Sequence, residues 1–160
     1  ASFFQSINPL IIILLGPLIA NFWLRIDRSD YKINTSQKMG IGLILLSAGF
    51  FLIMYVNNSN TSYISLWWLV GVYFLHTLGE LCLSPIGLSM VSKVSPKKIA
   101  SLMMGFWFLS AAIANYSAGK LPTILKLNNI DLFTFLTIMS LVAGIVLISI
   151  APLMEKLVRK

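Results

Sequence analysis

Residues 64–92 read ISLWWLVGVYFLHTLGELCLSPIGLSMVS, an unbroken apolar run that carries one formal charge, Glu80. About 20 helical residues cross the ~30 Å hydrocarbon core of a bilayer, so this run can span one with length left for tilt or a bend. Glu80 is also the only charged side chain anywhere between Lys38 and Lys93. A carboxylate at mid-membrane depth costs on the order of 2.5–3.5 kcal/mol on insertion scales, and such residues face a water-filled path or a partner. Both the fold class and the function turn on this one residue.

Four further stretches have the length and apolar content of a span: about 2–24, 39–56, 99–125 and 132–153. Hydrophobic residues make up 58% of the 160, charged residues 11%, and the mean hydropathy is +0.87. A soluble domain carries about 25% charged residues. The fold expected is therefore an all-α membrane protein with five transmembrane helices. Cys82 is the single cysteine, which excludes an internal disulfide. No basic stripe with interleaved aromatics accompanies the net charge of +7, so nucleic acid is not an expected partner.

The charge instead follows topology. Arg25, Arg28, Lys32 and Lys38 lie between the first two spans, Lys93, Lys97 and Lys98 between the third and fourth, and Lys156, Arg159 and Lys160 after the fifth. The intervening loops hold none in 57–63, then Lys120 and Lys126. Ten basic residues against two place the first group in the cytoplasm and Ala1 outside, in a multi-pass protein of the plasma (inner) membrane. Tyr63, Trp67 and Trp68 then fall at the outer interface. The Asn-x-Ser/Thr triplets at Asn34, Asn57 and Asn60 read as polar turn chemistry.

Tyr73, His76, Glu80, Ser84 and Gly87 are spaced three, four, four and three apart, on one face of a helix. Pro85 lacks the donor that would bond the carbonyl of Leu81, and a bend is expected there. Glu80 is read as facing a substrate or proton path, against the alternative of a neutral residue bonded inside the bundle. His76 with Glu80 is a candidate proton or hydrogen-bond relay, although it could also donate locally; Ser84 could bond back within its own helix. No Lys or Arg in the other spans shares the depth of Glu80, so its counterpart is a proton, a cationic substrate or a base elsewhere. In the first span, Asn8 precedes Pro9 and lies three residues from Gln5; its amide suits a peptide group or a helix break. Trp107 and Phe108 are pocket-wall candidates against ordinary packing, and Ser110, Ala114 and Ala118 form a small-residue stripe read as a packing seam. The second and fifth spans read as scaffold.

Ser84, His76 and Glu80 include the residue types of a hydrolase triad. Ser84 and His76 are eight residues apart, however, or ~12 Å along a helix axis, and a nucleophile must touch its base. One His, one Cys and one Glu give no metal-ligand spacing. The expectation is that the chain is not an enzyme and holds no metal or cofactor.

Gly79-Glu80-Leu81-Cys82-Leu83-Ser84-Pro85-Ile86-Gly87-Leu88-Ser89 closely resembles the tenth-helix motif of the proton-dependent oligopeptide transporters, within the major facilitator superfamily. Phe4-Gln5-Ser6-Ile7-Asn8-Pro9 resembles that family's eighth helix and Met104-Gly105-Phe106-Trp107-Phe108-Leu109 its eleventh. The resemblance covers essentially the whole chain, as helices eight to twelve, most of the C-terminal six-helix bundle. It implies proton-coupled symport of di- and tripeptides by alternating access, with the proton as coupling ion and no cofactor. It implies that Glu80 receives the peptide amino terminus with Ser84 assisting, that Asn8 bonds the peptide backbone, and that Trp107 and Phe108 wall the pocket. The family's first-helix motif and acidic seventh helix have no counterpart here, so the resemblance implies a fragment whose partners include the N-terminal half of the same transporter and the bilayer. The alternative function is a related carrier of nitrate or an amino-acid derivative.

Overall fold

The computed structural model describes the backbone of residues 2–28, 33–58 and 66–158, and the side chains of residues 9–28, 33–58 and 67–153. Lys32, Tyr63, Arg159 and Lys160, the Asn60 triplet, and the side chains of Gln5, Asn8 and Lys156 lie outside these described residues.

Each apolar run is one helix: α1 (Ser2–Arg28), α2 (Thr35–Asn58), α3 (Leu66–Val94), α4 (Ala100–Leu127) and α5 (Leu132–Val158). The helices outrun the apolar stretches because polar residues continue them. Arg25 and Arg28 occupy the last turn of α1, where cations favour the helix dipole. At the start of α2, Asn34 N–H donates to Gln37 Oε1 at 2.9 Å, the reach-back half of a capping box. α4 ends in a Schellman turn. Asn129 takes φ 55°, and its N–H and that of Ile130 donate to the carbonyls of Lys126 and Leu125. Asp131 then caps α5, accepting the Thr134 N–H and hydroxyl on Oδ2, each at 2.8 Å. Those two bonds hold the Asp131 carboxyl below the usual carboxylate range, the backbone N–H contributing most.

Among the described residues, four helices are long and apolar enough by themselves to cross a membrane, and α4 is not one of them. Ser101, Ser110, Asn115, Ser117 and Lys120 dilute its apolar content. The fourth predicted span is nevertheless a full-length helix of 28 residues.

α2 is the centre of the bundle, packed along α3 on one side and α5 on the other; α1 and α4 lean on α3, and α4 meets α5 only lightly. The scaffold reading of the second and fifth spans has its physical basis in glycine. A Cβ at Gly42 would stand 2.9 Å from the Gly79 carbonyl oxygen, and one at Gly40 3.0 Å from that of Gly144. These backbones approach as closely as a missing side chain allows. Ser47 adds an interhelical bond, its hydroxyl donating to the Thr137 carbonyl at 2.8 Å. At the expected seam, Ser110, Ala114 and Ala118 are all exposed among the described residues. The close seams belong to α2, where only glycine lets two backbones meet.

Candidate functional site: the recess beside Glu80

α3 runs without interruption through Pro85, so the expected bend does not break the helix. The 3–4 spacing carries Tyr73, His76, Glu80 and Ser84 onto one side, where with Thr77, Leu83 and Leu46 of α2 they line an open recess of about 350 Å³. Glu80 and Ser84 are exposed within it. Thr77 is fully buried, its hydroxyl donating to the Tyr73 carbonyl at 2.7 Å. The recess therefore sets one carboxylate and one aliphatic hydroxyl beside Tyr73, His76 and the apolar Leu46 and Leu83. That pairing can accept hydrogen bonds from a cationic amine.

His76 contributes differently from Glu80. Its ring sits edge-on to Phe50, centroids 4.6 Å apart, and a Cβ on Gly49 would collide with its Cδ2 and Nε2. Nε2 is buried with no hydrogen-bond partner. Nε2 thus faces α2 in the seat that Gly49 leaves open, while His76 also lines the recess.

Trp107 of α4 lies over Gly87, where its Cζ2 and Cη2 fill the place of a side chain, one helical turn from Ser84. It joins α4 to α3 and does not line the recess. Phe108, the next residue round the helix, is 63% exposed and turned away from these contacts. Asn8 falls on the backbone of α1, and its side chain is outside the described residues. The structure thus brings Glu80, Ser84 and His76 together, sets Trp107 next to them, and leaves Phe108 apart. Residue spacing missed Leu46, because hydropathy gives no register between helices. It also missed the Gly49 seat, although Gly42 and Gly49 lie seven apart on one face of α2 and could have signalled a close neighbour.

Comparison with known proteins gives a consistent set. The PTR2 (POT family) profile matches residues 1–156. The peptide transporter YePEPT of Yersinia enterocolitica is 37% identical over 133 residues, 81% of this chain and 26% of that protein. The di-/tripeptide transporter of Lactococcus lactis subsp. cremoris is 31% identical over 98% of this chain and 32% of its own length. The crystal structure of a POT family transporter in complex with 5-aminolevulinic acid superposes with a TM-score of 0.82 at 33% identity, over 92% of this chain and 30% of that one. The chain thus spans about a quarter to a third of the proteins it matches.

Proposed function

The chain belongs to the POT family, and on that premise we propose that it forms part of the C-terminal helix bundle of a proton-coupled symporter for di- and tripeptides. The observation that carries this reading is the position of Glu80, exposed in a recess in the middle of a 29-residue apolar helix. A protonated peptide amine entering the recess meets Glu80 and the Ser84 hydroxyl. On this reading the amine and the coupling proton alternate at the recess as substrate is bound and released. The apolar side chains of Leu46 and Leu83 lower the polarity beside the pair and strengthen it. Large apolar residues of α1 such as Ile13, 74% exposed, need lipid or further helices against them, which suits one part of a larger bundle.

Other parts of the reading follow from the same logic. Asn8 on α1 and Trp107 and Phe108 on α4 would reach the peptide only in a larger cavity completed by the rest of the transporter. The ten-to-two asymmetry of basic residues puts the α1–α2 and α3–α4 connections in the cytoplasm. Trp68, in ring contact with Tyr55, then stands at the outer interface. A carrier of an amino-acid derivative with a free amine is the second reading, supported by the 5-aminolevulinic acid complex of the similar transporter; nitrate gains nothing from a facing carboxylate. The test is proton-driven uptake of a labelled dipeptide by the full-length protein. Glu80→Gln should abolish uptake in a cell or vesicle where the wild type accumulates substrate, and unchanged uptake sinks the proposal.

A further inference from the structure

A second recess, of about 500 Å³, lies between α1, α2 and α3 at the end rich in Lys and Arg. Its rim is ionic and its floor apolar. Lys38, buried at the start of α2, places its ammonium 2.7 Å from both carboxylate oxygens of Asp27 and 5.2 Å from the centroid of the Trp23 ring. That pair is closed on itself. Asp27 is the only carboxylate among the lining residues, so the exposed Lys93 on the same rim leaves the recess with an uncompensated positive charge. Ser89, one turn back from Lys93, adds a hydroxyl. Below them the floor is Ile19, Ala20, Leu81, Ile86 and Met90.

The depth of the recess is informative. It runs along α1 from Asp27 to Gly16, which is ~16 Å at helical rise, about half of a ~30 Å hydrocarbon core. It closes where Gly16 comes up to Leu81, the distance from an added Cβ to Leu81 Cδ2 being 3.9 Å. A packed helix is ~10–12 Å wide and needs a seat of full membrane depth. A free anion has no use for an apolar floor. One cationic rim above one leaflet's depth of apolar wall matches a single lipid, and basic pockets between spans on the cytoplasmic side hold anionic head groups in general.

We propose that this recess binds an anionic phospholipid, with the phosphate at Lys93 and Ser89 and an acyl chain along Leu81, Ile86 and Met90. The site is separate from the Glu80 recess and stands whether or not the chain carries peptides. The experiment is native mass spectrometry of the full-length protein in mild detergent, titrated with phosphatidylglycerol or phosphatidylcholine. Wild type should retain phosphatidylglycerol preferentially. Lys93→Gln should weaken that retention about fivefold, the equivalent of ~1 kcal/mol for one surface lysine. Ala20→Phe, which fills the floor, should weaken both lipids alike, and Lys120→Gln at the opposite end should change neither. Full retention in Lys93→Gln or in Ala20→Phe overturns the proposal, as does an equal loss in Lys120→Gln. Displacement by inorganic phosphate alone also overturns it, in favour of a free anion.

Discussion

The α2–α3 seam makes a sharp prediction at Gly42. Replacing it with alanine puts a methyl 2.9 Å from the Gly79 carbonyl oxygen, 2.9 Å from Cys82 Cβ and 3.1 Å from Leu83 Cγ. The first is backbone and the second is fixed to it, so neither can rotate away. Ordinary contact lies beyond 3.4 Å, and the helices must part by about half an ångström. Overpacking of this kind costs ~1–3 kcal/mol. Alanine returns up to ~1 kcal/mol of helix propensity. The net expectation for Gly42→Ala is a loss of ~1–2 kcal/mol. Gly105→Ala is the contrast, since among the described residues nothing beyond its own helical backbone lies within 4 Å of the new methyl. It should be neutral, or stabilising by up to ~1 kcal/mol. Because Gly79 adjoins Glu80, the opened seam should also shift the carboxylate and weaken substrate affinity. The assay is thermal unfolding of the full-length protein in lipid nanodiscs, with substrate binding measured on the same samples. A Gly42→Ala variant that unfolds at the wild-type midpoint with wild-type affinity refutes the reasoning.

Three further outcomes follow from particular contacts. Gly49→Ala should displace the His76 ring from its seat, and because a side chain and not backbone must yield, it should cost less than Gly42→Ala. Combining it with His76→Ala should recover part of the loss, a coupling that a double-mutant cycle on unfolding midpoints would reveal. Asp27→Asn should destabilise by about 1–2 kcal/mol, less than a fully buried pair because the Asp27 side chain is 46% exposed, and Asp27→Asn with Lys38→Met should be milder than the single change. Asp131 has a depressed folded pKa, so its cap contributes fully above the unfolded value of about 3.9 and is lost as pH falls through the folded one. Hydrogen exchange at the first turn of α5 should therefore show constant protection from pH 5 to 8 and fraying only in stronger acid, and Asp131→Ala should remove that dependence.

The helices were legible in the sequence because a bilayer imposes length and apolarity on each span independently, and α3 could be read from residues 64–92 alone. The shared face of Tyr73, His76, Glu80 and Ser84 was legible for the same kind of reason, being local helical geometry. What lay between helices was not. Hydropathy reports the solvent a residue prefers, not its neighbour, so the Gly42–Gly79 approach, the Gly49 seat and the Leu46 wall had no apolar signature. Lys38 read as a loop charge, yet it is buried in the first turn of α2 because Asp27, eleven residues earlier, folds back onto it. The stripe of Ser110, Ala114 and Ala118 looked like a seam, but small residues permit close packing without specifying with what.

The central claim is that the carboxylate of Glu80 recognises a substrate ammonium. Competition binding to the full-length protein with a dipeptide and its N-acetylated counterpart, in wild type and Glu80→Gln, measures this most directly. A charge-assisted hydrogen bond is worth ~1.5–3 kcal/mol, so the wild type should prefer the free amine by about tenfold or more. In Glu80→Gln that preference should collapse towards unity, through loss of affinity for the free amine alone. An undiminished preference in the variant would contradict the account.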